Sequence, residues 1–201
     1  MGRPSKLQLR EVLKRATNLF WLRGCNAVSI RDLEEELDLR APAIYRRFKS
    51  KDQLLAQCLD FYIDTIILKR IRHRLESAED PLDGLHDFFT STLEPHGQES
   101  RLRGCLLSHT AAHADGSIPE VRDAIYRGWN LLDVAFQKQI ERAQRTGQLD
   151  ADLDVEAVSK ALLISLQGLL TLVRAGVTDL QPGIDATFSF LGGQTASIHK
   201  P

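Results

Sequence analysis

Residues 29–48, SIRDLEEELDLRAPAIYRRF, decide the fold of the N-terminal part of the chain. Ser29 stands where a helix needs an N-cap, and Asp32, three residues later, completes a capping-box pattern. Asp38 falls in a short turn, where an aspartate tolerates the left-handed conformation. A second helix then covers residues 41–48, with a proline in its first turn. The stretch therefore predicts a helix, a three-residue turn and a second helix, closed by a small core of Leu33, Leu37, Leu39, Ile44 and Phe48.

The second of these helices carries short and basic side chains on the face that the core leaves free. An α-helix fits the DNA major groove, where arginine pairs with guanine and small residues allow close approach to thymine methyl groups. Hydroxyl, phenol and ammonium groups around the helix suit phosphate. The DNA-facing residues are predicted to be Arg40, Ala41, Ala43, Arg46 and Arg47, with Ser29, Tyr45, Lys49 and Lys51 at the phosphates. The alternative is a helical packing unit with a solvated basic face.

The rest of the chain has the 3.6-residue period of helices, without sustained strand-like alternation. Residues 7–23 predict an amphipathic helix that ends at Gly24. Ser50 and Gln53 form a second capping-box pattern, which begins a long helix from Lys51 to about Leu75. Further helices are predicted at 82–93, 102–114, 118–146, 154–175 and 183–191, with linkers at Pro95-His96-Gly97, Asp115-Gly116-Ser117, Thr146-Gly147 and Gln181-Pro182-Gly183. We therefore expect an all-α protein of about nine helices.

Charge is distributed unevenly along the chain. Residues 1–75 contain 16 Lys and Arg against 9 Asp and Glu, whereas residues 76–201 contain 10 against 18. A basic N-terminal third is typical of a region that meets a polyanion. The acidic remainder argues against a protein that coats nucleic acid along its whole length.

Cysteine usage and the start of the chain favour a cytoplasmic protein. Three widely spaced cysteines without a CxxC pair do not form a disulfide framework. Residues 1–6 lack the apolar core of a secretory signal, and no uninterrupted apolar run reaches the roughly 18 residues of a membrane span. Glycine-rich phosphate loops and the common serine-hydrolase and metalloprotease patterns are missing. We therefore expect no enzyme activity, no cofactor and no membrane partner.

Residues 2–64 resemble the TetR family of transcriptional regulators. The most specific feature is Ile44-Tyr45-x-x-Phe48-x-Ser50-Lys51-x-x-Leu54, and Gly2-Arg3-Pro4, Gly24 and Ser29-Ile30-Arg31-Asp32-Leu33 also agree. The resemblance implies a DNA-binding domain at residues 1–50, with the family-like region extending to about 66, and a helical ligand-binding and dimerisation domain at 51–201. It further implies a repressor that a small-molecule ligand releases from a palindromic operator. Two positions depart from the family pattern, because Asp38 replaces the usual turn glycine and Arg40 the usual Ser or Thr.

The resemblance also assigns tasks to the C-terminal domain. In the family the last two long helices pair with those of a second copy, which here correspond to 154–175 and 183–191. The predicted dimer residues are Leu162, Leu166, Gly168, Leu169 and Val173, and the predicted effector-lining residues are Phe61, Tyr62, Phe88, Phe89, Leu107, Trp129, Leu132 and Phe136. For each of the latter, a place in the ordinary core is the favoured interpretation over a place in a pocket wall.

Two alternative sensing mechanisms centre on one segment. Cys105, His109 and His113 are spaced four residues apart, so a helix could present a thiolate and two imidazoles to zinc or copper. Cys105 alone could sense oxidants or electrophiles, because Arg101 and Arg103 would stabilise its thiolate. A buried cysteine acting as a small apolar residue is the simpler interpretation.

Overall fold

A computed structural model describes residues 6–94, 104–113 and 118–193. Several features noted in the sequence lie outside these ranges, namely Gly2-Arg3-Pro4, the linkers Pro95-His96-Gly97 and Asp115-Gly116-Ser117, and the side chains of Arg101 and Arg103.

Helices make up the described chain, as the sequence predicted. In chain order they are α1 Lys6–Arg23, α2 Ile30–Leu37, α3 Ala41–Phe48, α4 Lys51–Tyr62, α5 Leu68–Arg70, α6 Pro81–Thr90, α7 Leu106–His113, α8 Pro119–Arg145, α9 Val155–Arg174 and α10 Gln181–Gly193. The three-residue α5 belongs to a longer helical run, and within the described ranges the other nine match the predicted number.

Side-chain caps fix where several helices begin. The side chains of Ser29, Ser50 and Asp154 each accept a hydrogen bond from the backbone N–H three residues further on. Asp80 accepts from the N–H groups of Leu82 and Asp83 at 2.8 and 2.9 Å. Each cap satisfies N–H groups that the first helical turn leaves without an intrahelical partner.

The long helix predicted from Lys51 to about Leu75 is present as a helical run that is not α-helical throughout. The backbone winds as a π-helix at Ile63–Ile67 and again at Ile71–Glu76, on either side of α5. A π-helical turn accommodates one extra residue, so it shifts the register of every side chain beyond it. Apolar spacing did not reveal this, because a run rich in isoleucine and leucine offers an apolar side chain in either register.

Two compact units make up the fold. Unit 1 comprises Met1–Ile66 with Cys105–Gly128, and unit 2 comprises Ile67–Gly104 with Trp129–Pro201. The division falls inside the predicted second domain, so α7 and the start of α8 belong to the same unit as the helix-turn-helix. The functional division at residue 50 stays a prediction.

Unit 1 is built around α1, which packs against α2 and α4. Fully buried apolar side chains come from all of the first four helices, from the loop before α2, and from α7 and α8. They include Ala16, Phe20, Val28, Leu33, Ile44, Phe48, Leu54, Cys58, Leu59, Leu106, Leu107 and Ala124. Burying a large apolar side chain contributes about 1.5–3 kcal/mol, so this core is what holds the short helices α2 and α3 in place.

Unit 2 has an aromatic core. The rings of Phe88 and Phe89 lie 5.5 and 6.0 Å from that of Phe136, and Phe89 also packs edge-on against Phe188 at 5.2 Å. Among the described residues one helix, α9, is long and apolar enough by length and composition to cross a membrane, although only 22% of its most apolar window is buried. Soluble proteins also contain such helices. The low burial of α9 raises the question of which apolar surface packs against its exposed side.

Candidate nucleic-acid interface

The first helix of the helix-turn-helix begins with the capping box that the sequence predicted. Asp32 donates its backbone N–H to the Ser29 hydroxyl at 3.2 Å, and the Asp32 carboxylate accepts from the Ser29 backbone N–H at 2.8 Å. Arg23 at the end of α1 holds the same carboxylate at 2.7 Å. Hydrogen bonds from Ser29 lower the pKa of the Asp32 carboxyl. The Ser29 hydroxyl also donates to this carboxylate at 2.5 Å, so its predicted contact with phosphate would compete with the cap.

The turn forms without glycine. Asp38 caps α2 in the left-handed region, with φ 52° and ψ 43°, and its N–H donates to the carbonyl of Glu34. An aspartate adopts this conformation more readily than most side chains do. The family-typical glycine is therefore replaceable here, as the sequence suggested.

Glu34 caps the second helix from outside it. Arg40 is the N-cap residue of α3, but its side chain makes no capping hydrogen bond. Instead the Ala41 N–H donates to the Glu34 carboxylate at 2.6 Å. The sequence analysis missed this residue, and the signal for it was an N-cap position without Ser, Thr, Asp or Asn beside an acidic preceding helix.

The core under the motif is close to the predicted one. Leu33, Leu37, Ile44 and Phe48 are buried, and Leu39 is half-buried. Their burial turns the other side of α3 outward. Arg40, Tyr45, Arg46 and Lys49 are exposed, while Ala41, Ala43 and Arg47 are half-buried.

Basic groups dominate the outward side of α3. Two of the four acids of α2 pair with arginines of α1, Asp32 with Arg23 and Glu36 with Arg15 at 3.5 Å. The Arg47 guanidinium lies 5.5 Å from the centre of the Phe48 ring, which is a cation–π distance. The outward face of α3 therefore combines exposed cations with small alanines, which suits an approach to DNA.

Lys49 joins α3 to α4 through a strained turn. Its backbone has φ 66° and ψ −46°, and the Ser50 N–H donates to the Phe48 carbonyl at 2.8 Å across it. This is a γ-turn of the uncommon kind, which costs energy for a side chain other than glycine. Because such strain clusters at functional sites, it agrees with a predicted phosphate contact of the exposed lysine.

Lys51 has a structural task as well as its predicted one. Its ammonium group donates to the carbonyls of Cys25 at 3.1 Å and Val28 at 2.9 Å. It thereby ties the loop before α2 to the beginning of α4. The predicted phosphate contact stays a prediction, and removal of the ammonium would also loosen this loop.

The predicted effector-lining residues fall into two groups. Phe61, Tyr62 and Leu107 belong to unit 1, and Phe88, Phe89, Trp129, Leu132 and Phe136 belong to unit 2. Tyr62 is buried edge-on against Trp21, with ring centres 5.0 Å apart. Phe88, Phe89 and Phe136 contact one another in the core of unit 2. The effector site itself stays a prediction.

The predicted dimer residues lie mostly inside the protomer. Leu162, Leu166 and Val173 are buried within it, and Leu169 is half-buried. Of the five, only Gly168 is exposed, and a Cβ added to it would meet open space. Because α9 is apolar on several sides, the spacing does not show which side meets the protomer's own core, and the dimer face stays a prediction.

The segment with Cys105, His109 and His113 packs against the loop that precedes α2. A Cβ added to Gly24 would lie 2.5 Å from the His109 ring, and the Asn26 amide donates to the His113 carbonyl at 3.1 Å. Within residues 6–94, 104–113 and 118–193, no group of three or more His, Cys, Asp or Glu side chains could hold a metal ion. Cys105 itself is buried. The metal and thiol alternatives are therefore not favoured.

Comparison with known proteins finds two family models that match successive parts of the chain. The family model "Bacterial regulatory proteins, tetR family" matches residues 12–58, and "Tetracyclin repressor-like, C-terminal domain" matches residues 81–179. The transcriptional repressor ComR of Escherichia coli is 23% identical over 177 residues, covering 88% of this chain and 84% of ComR. The uncharacterised regulator YezE of Bacillus subtilis is 25% identical over 194 residues, covering 95% of this chain and all of YezE (100%).

A solved structure gives the same fold. The regulator CifR, as a cysteine variant in complex with a 26-base-pair operator DNA, superposes with a TM-score of 0.76 at 24% identity, over 98% of this chain and 100% of that chain. The matched family models cover both the helix-turn-helix and the helical C-terminal part. The chain belongs to the TetR family of bacterial DNA-binding transcriptional regulators.

Proposed function

We propose that the protein is a homodimeric repressor that binds a palindromic operator through α3 and leaves it when a small molecule binds the C-terminal domain. The observation that carries the proposal is the exposed basic face of α3, mounted on a buried core and capped at both helix starts. A palindrome suits this arrangement because a two-fold protein places two such helices one helical turn of DNA apart, roughly 34–36 Å.

Different residues of this face are proposed to contact the bases and the phosphates. Arg46 is the exposed arginine in the last turn of α3 and is proposed to contact a base. Tyr45 and Lys49 flank it and are proposed to contact the phosphate backbone. An arginine that pairs with guanine contributes about 1–3 kcal/mol of discrimination, whereas a phosphate contact strengthens binding to every sequence alike.

The experiment is a selection of bound duplexes from random DNA at about 150 mM salt, where non-specific binding is weak. The wild type is expected to enrich a palindrome. Arg46→Ala is expected to lose preference at one symmetric pair of positions, and Lys49→Ala to keep the motif with lower affinity. Arg145→Ala, an exposed arginine at the end of α8, is the matched control. A wild type that enriches no motif would refute the proposed function.

A second copy of the chain accounts for the uncovered side of α9. Ala161, Ile164, Ser165, Gly168 and Leu172 recur at helical spacing, and all are exposed. Ile164 is 72% exposed, and on α10 Phe190 is 79% exposed. Apolar side chains this exposed on neighbouring elements of one sequence region are typical of an oligomer interface. We therefore place the dimer contact on this face instead of the predicted Leu162, Leu166 and Val173.

Sedimentation of the wild type and Ile164→Asp tests the dimer. The wild type is expected to sediment as a dimer at micromolar concentration and the variant as a folded monomer. Lys138→Asp, on an exposed position of α8, controls for the added acid. A monomeric wild type would contradict the dimer while leaving the base contacts open to the selection experiment.

Continuous helices provide a route for release by an effector. The helical run from Lys51 and the long α8 each contribute residues to both compact units. An effector that favours one arrangement of unit 2 can therefore act on the unit that carries α3, by shifting the population of two states. Expression from an operator–reporter fusion should rise when the gene is deleted, and a fall would indicate an activator.

A further inference from the structure

Unit 1 contains a cavity that the proposed function does not use. It has a volume of about 770 Å³ and lies between α1 and the segment that ends α4 and enters the first π-helix. This volume is within the range of small-molecule sites, which is about 300–1,000 Å³. All of its lining residues belong to unit 1, whereas five of the eight predicted effector-lining residues belong to unit 2, and Phe61 is common to both sets.

Aromatic and aliphatic groups form the floor of the cavity. Trp21 is only 8% exposed and is held edge-on by Tyr62, while Phe61 and Ile66 are half-buried and lie along the wall. Two aromatic rings and a branched aliphatic chain suit a planar or alkyl group of similar size. The floor is therefore apolar and its indole ring is fixed by a neighbour.

The π-helix shapes one wall. Thr65 and Ile66 line the cavity from within Ile63–Ile67, and the Thr65 hydroxyl donates to the Phe61 carbonyl at 2.6 Å. That hydrogen bond satisfies the Thr65 hydroxyl as a donor within its own helix. Single π-helical turns occur frequently at functional sites, so the π-helix in this wall supports a binding role for the cavity.

The mouth of the cavity is basic. Arg10 and Lys14 are one turn apart on α1, and both are exposed. Glu11 is the one acid among the described lining residues, so the mouth has an excess of one positive charge. Cations at the mouth favour an anionic head group and repel an organic cation, although aromatic rings alone would attract one.

We propose that this cavity binds a small amphipathic anion, with an aromatic or alkyl body on Trp21 and Phe61 and one carboxylate or sulfonate between Arg10 and Lys14. A neutral hydrocarbon would leave the two cations without a partner. The site goes beyond the proposed function, because all of its lining residues belong to the unit that carries α3.

The fluorescence of Trp21 tests the proposal. The chain has two tryptophans, so Trp129→Phe leaves Trp21 as the only indole. Titration of this variant with 1-naphthalenesulfonate is expected to change the Trp21 emission saturably. Lys14→Glu in the same background should raise the Kd at least tenfold, and Lys138→Glu, far along the sequence on α8, should leave it unchanged. The uncharged analogue 1-naphthalenemethanol should bind at least tenfold more weakly than the sulfonate.

Two outcomes would overturn the proposal. One is an emission change that Lys14→Glu does not weaken, since the probe would then bind elsewhere, including the C-terminal domain. The other is equal affinity for the charged and uncharged probes. Wild type labelled with 5-fluorotryptophan reports on the same indole by ¹⁹F NMR should Trp129→Phe fail to fold. Operator selection is measured separately, so failure of the cavity proposal leaves the proposed function standing.

Discussion

The helix-turn-helix at residues 29–48 and the helix α9 differ in how far apart in the sequence their decisive contacts lie. In the helix-turn-helix, the Ser29 cap spans three residues, the Asp38 turn spans four, and the core residues lie within sixteen residues of one another. In α9 the Ser159 hydroxyl donates to the Asp133 carboxylate, 26 residues away, and Leu162, Leu166 and Val173 are buried whereas Ile164 and Leu172 are exposed.

This difference explains why one region was read correctly from sequence and the other was not. Local contacts leave a pattern in the sequence, because each partner is found at a fixed short spacing. A helix that is apolar on several sides gives no such pattern for choosing between its own core and a second copy. The following experiments test this contrast, from the largest expected effect to the smallest.

Removing the buried aromatic ring of Phe48 from the core of the helix-turn-helix should have the largest effect on stability. Phe48 is 1% exposed, and Phe48→Ala is expected to lower the free energy of unfolding by about 3–5 kcal/mol, because it removes transfer energy and leaves a cavity. Tyr45→Ala, on the exposed side of the same helix, should change stability little while weakening DNA binding. Chemical denaturation of both variants measures this. Equal destabilisation by the two would show that the two sides of α3 are wrongly assigned.

On α9, neighbouring residues should separate folding from assembly. Leu166→Ala is expected to lower protomer stability by about 2–5 kcal/mol. Ile164→Ala should raise the dimer dissociation constant and leave the unfolding of the dilute protomer nearly unchanged. Circular dichroism at low concentration and sedimentation at several concentrations distinguish the two. Should Ile164→Ala destabilise the dilute protomer as strongly as Leu166→Ala, the outward face would not be the assembly face.

Removing the cap that Glu34 provides to α3 should lower stability by a smaller amount, and a second substitution should restore it. Glu34→Ala is expected to lower stability by about 1 kcal/mol and to weaken operator binding, because the Ala41 N–H loses its acceptor. Adding Arg40→Ser supplies a hydroxyl at the N-cap position and should restore stability. Glu35→Ala, an exposed acid on the same helix, is the control. Without recovery in the double variant, Glu34 would act through charge and not through the cap.

The capping box of α2 should give the smallest effect, visible as a dependence on pH. The folded-state pKa of Asp32 is lowered by the hydrogen bonds from Ser29, so its stabilising contribution is fully present above the ordinary aspartate pKa of about 3.9 and is lost as the pH falls through the lowered value. The difference in melting temperature between wild type and Asp32→Asn should therefore shrink on acidification below about pH 4. Glu35→Gln controls for the loss of a negative charge, and a constant difference across this range would contradict the assignment.

Sequence alone determined the features whose causes are local. It predicted the helices, the caps at Ser29 and Ser50, the left-handed Asp38 and the exposed basic face of α3, because each follows from residue type and short spacing. The family resemblance of residues 2–64 arises from the same local patterns, and the comparisons confirmed it.

Only the tertiary structure decided the features that depend on partners brought together by folding. These include the Glu34 cap of α3, the hydrogen bonds from Lys51 to the loop before α2, the π-helical turns after Tyr62 and the choice of the buried side of α9. In each case the sequence offers several partners of suitable chemistry, and the free energy of burying one arrangement of the whole chain selects among them.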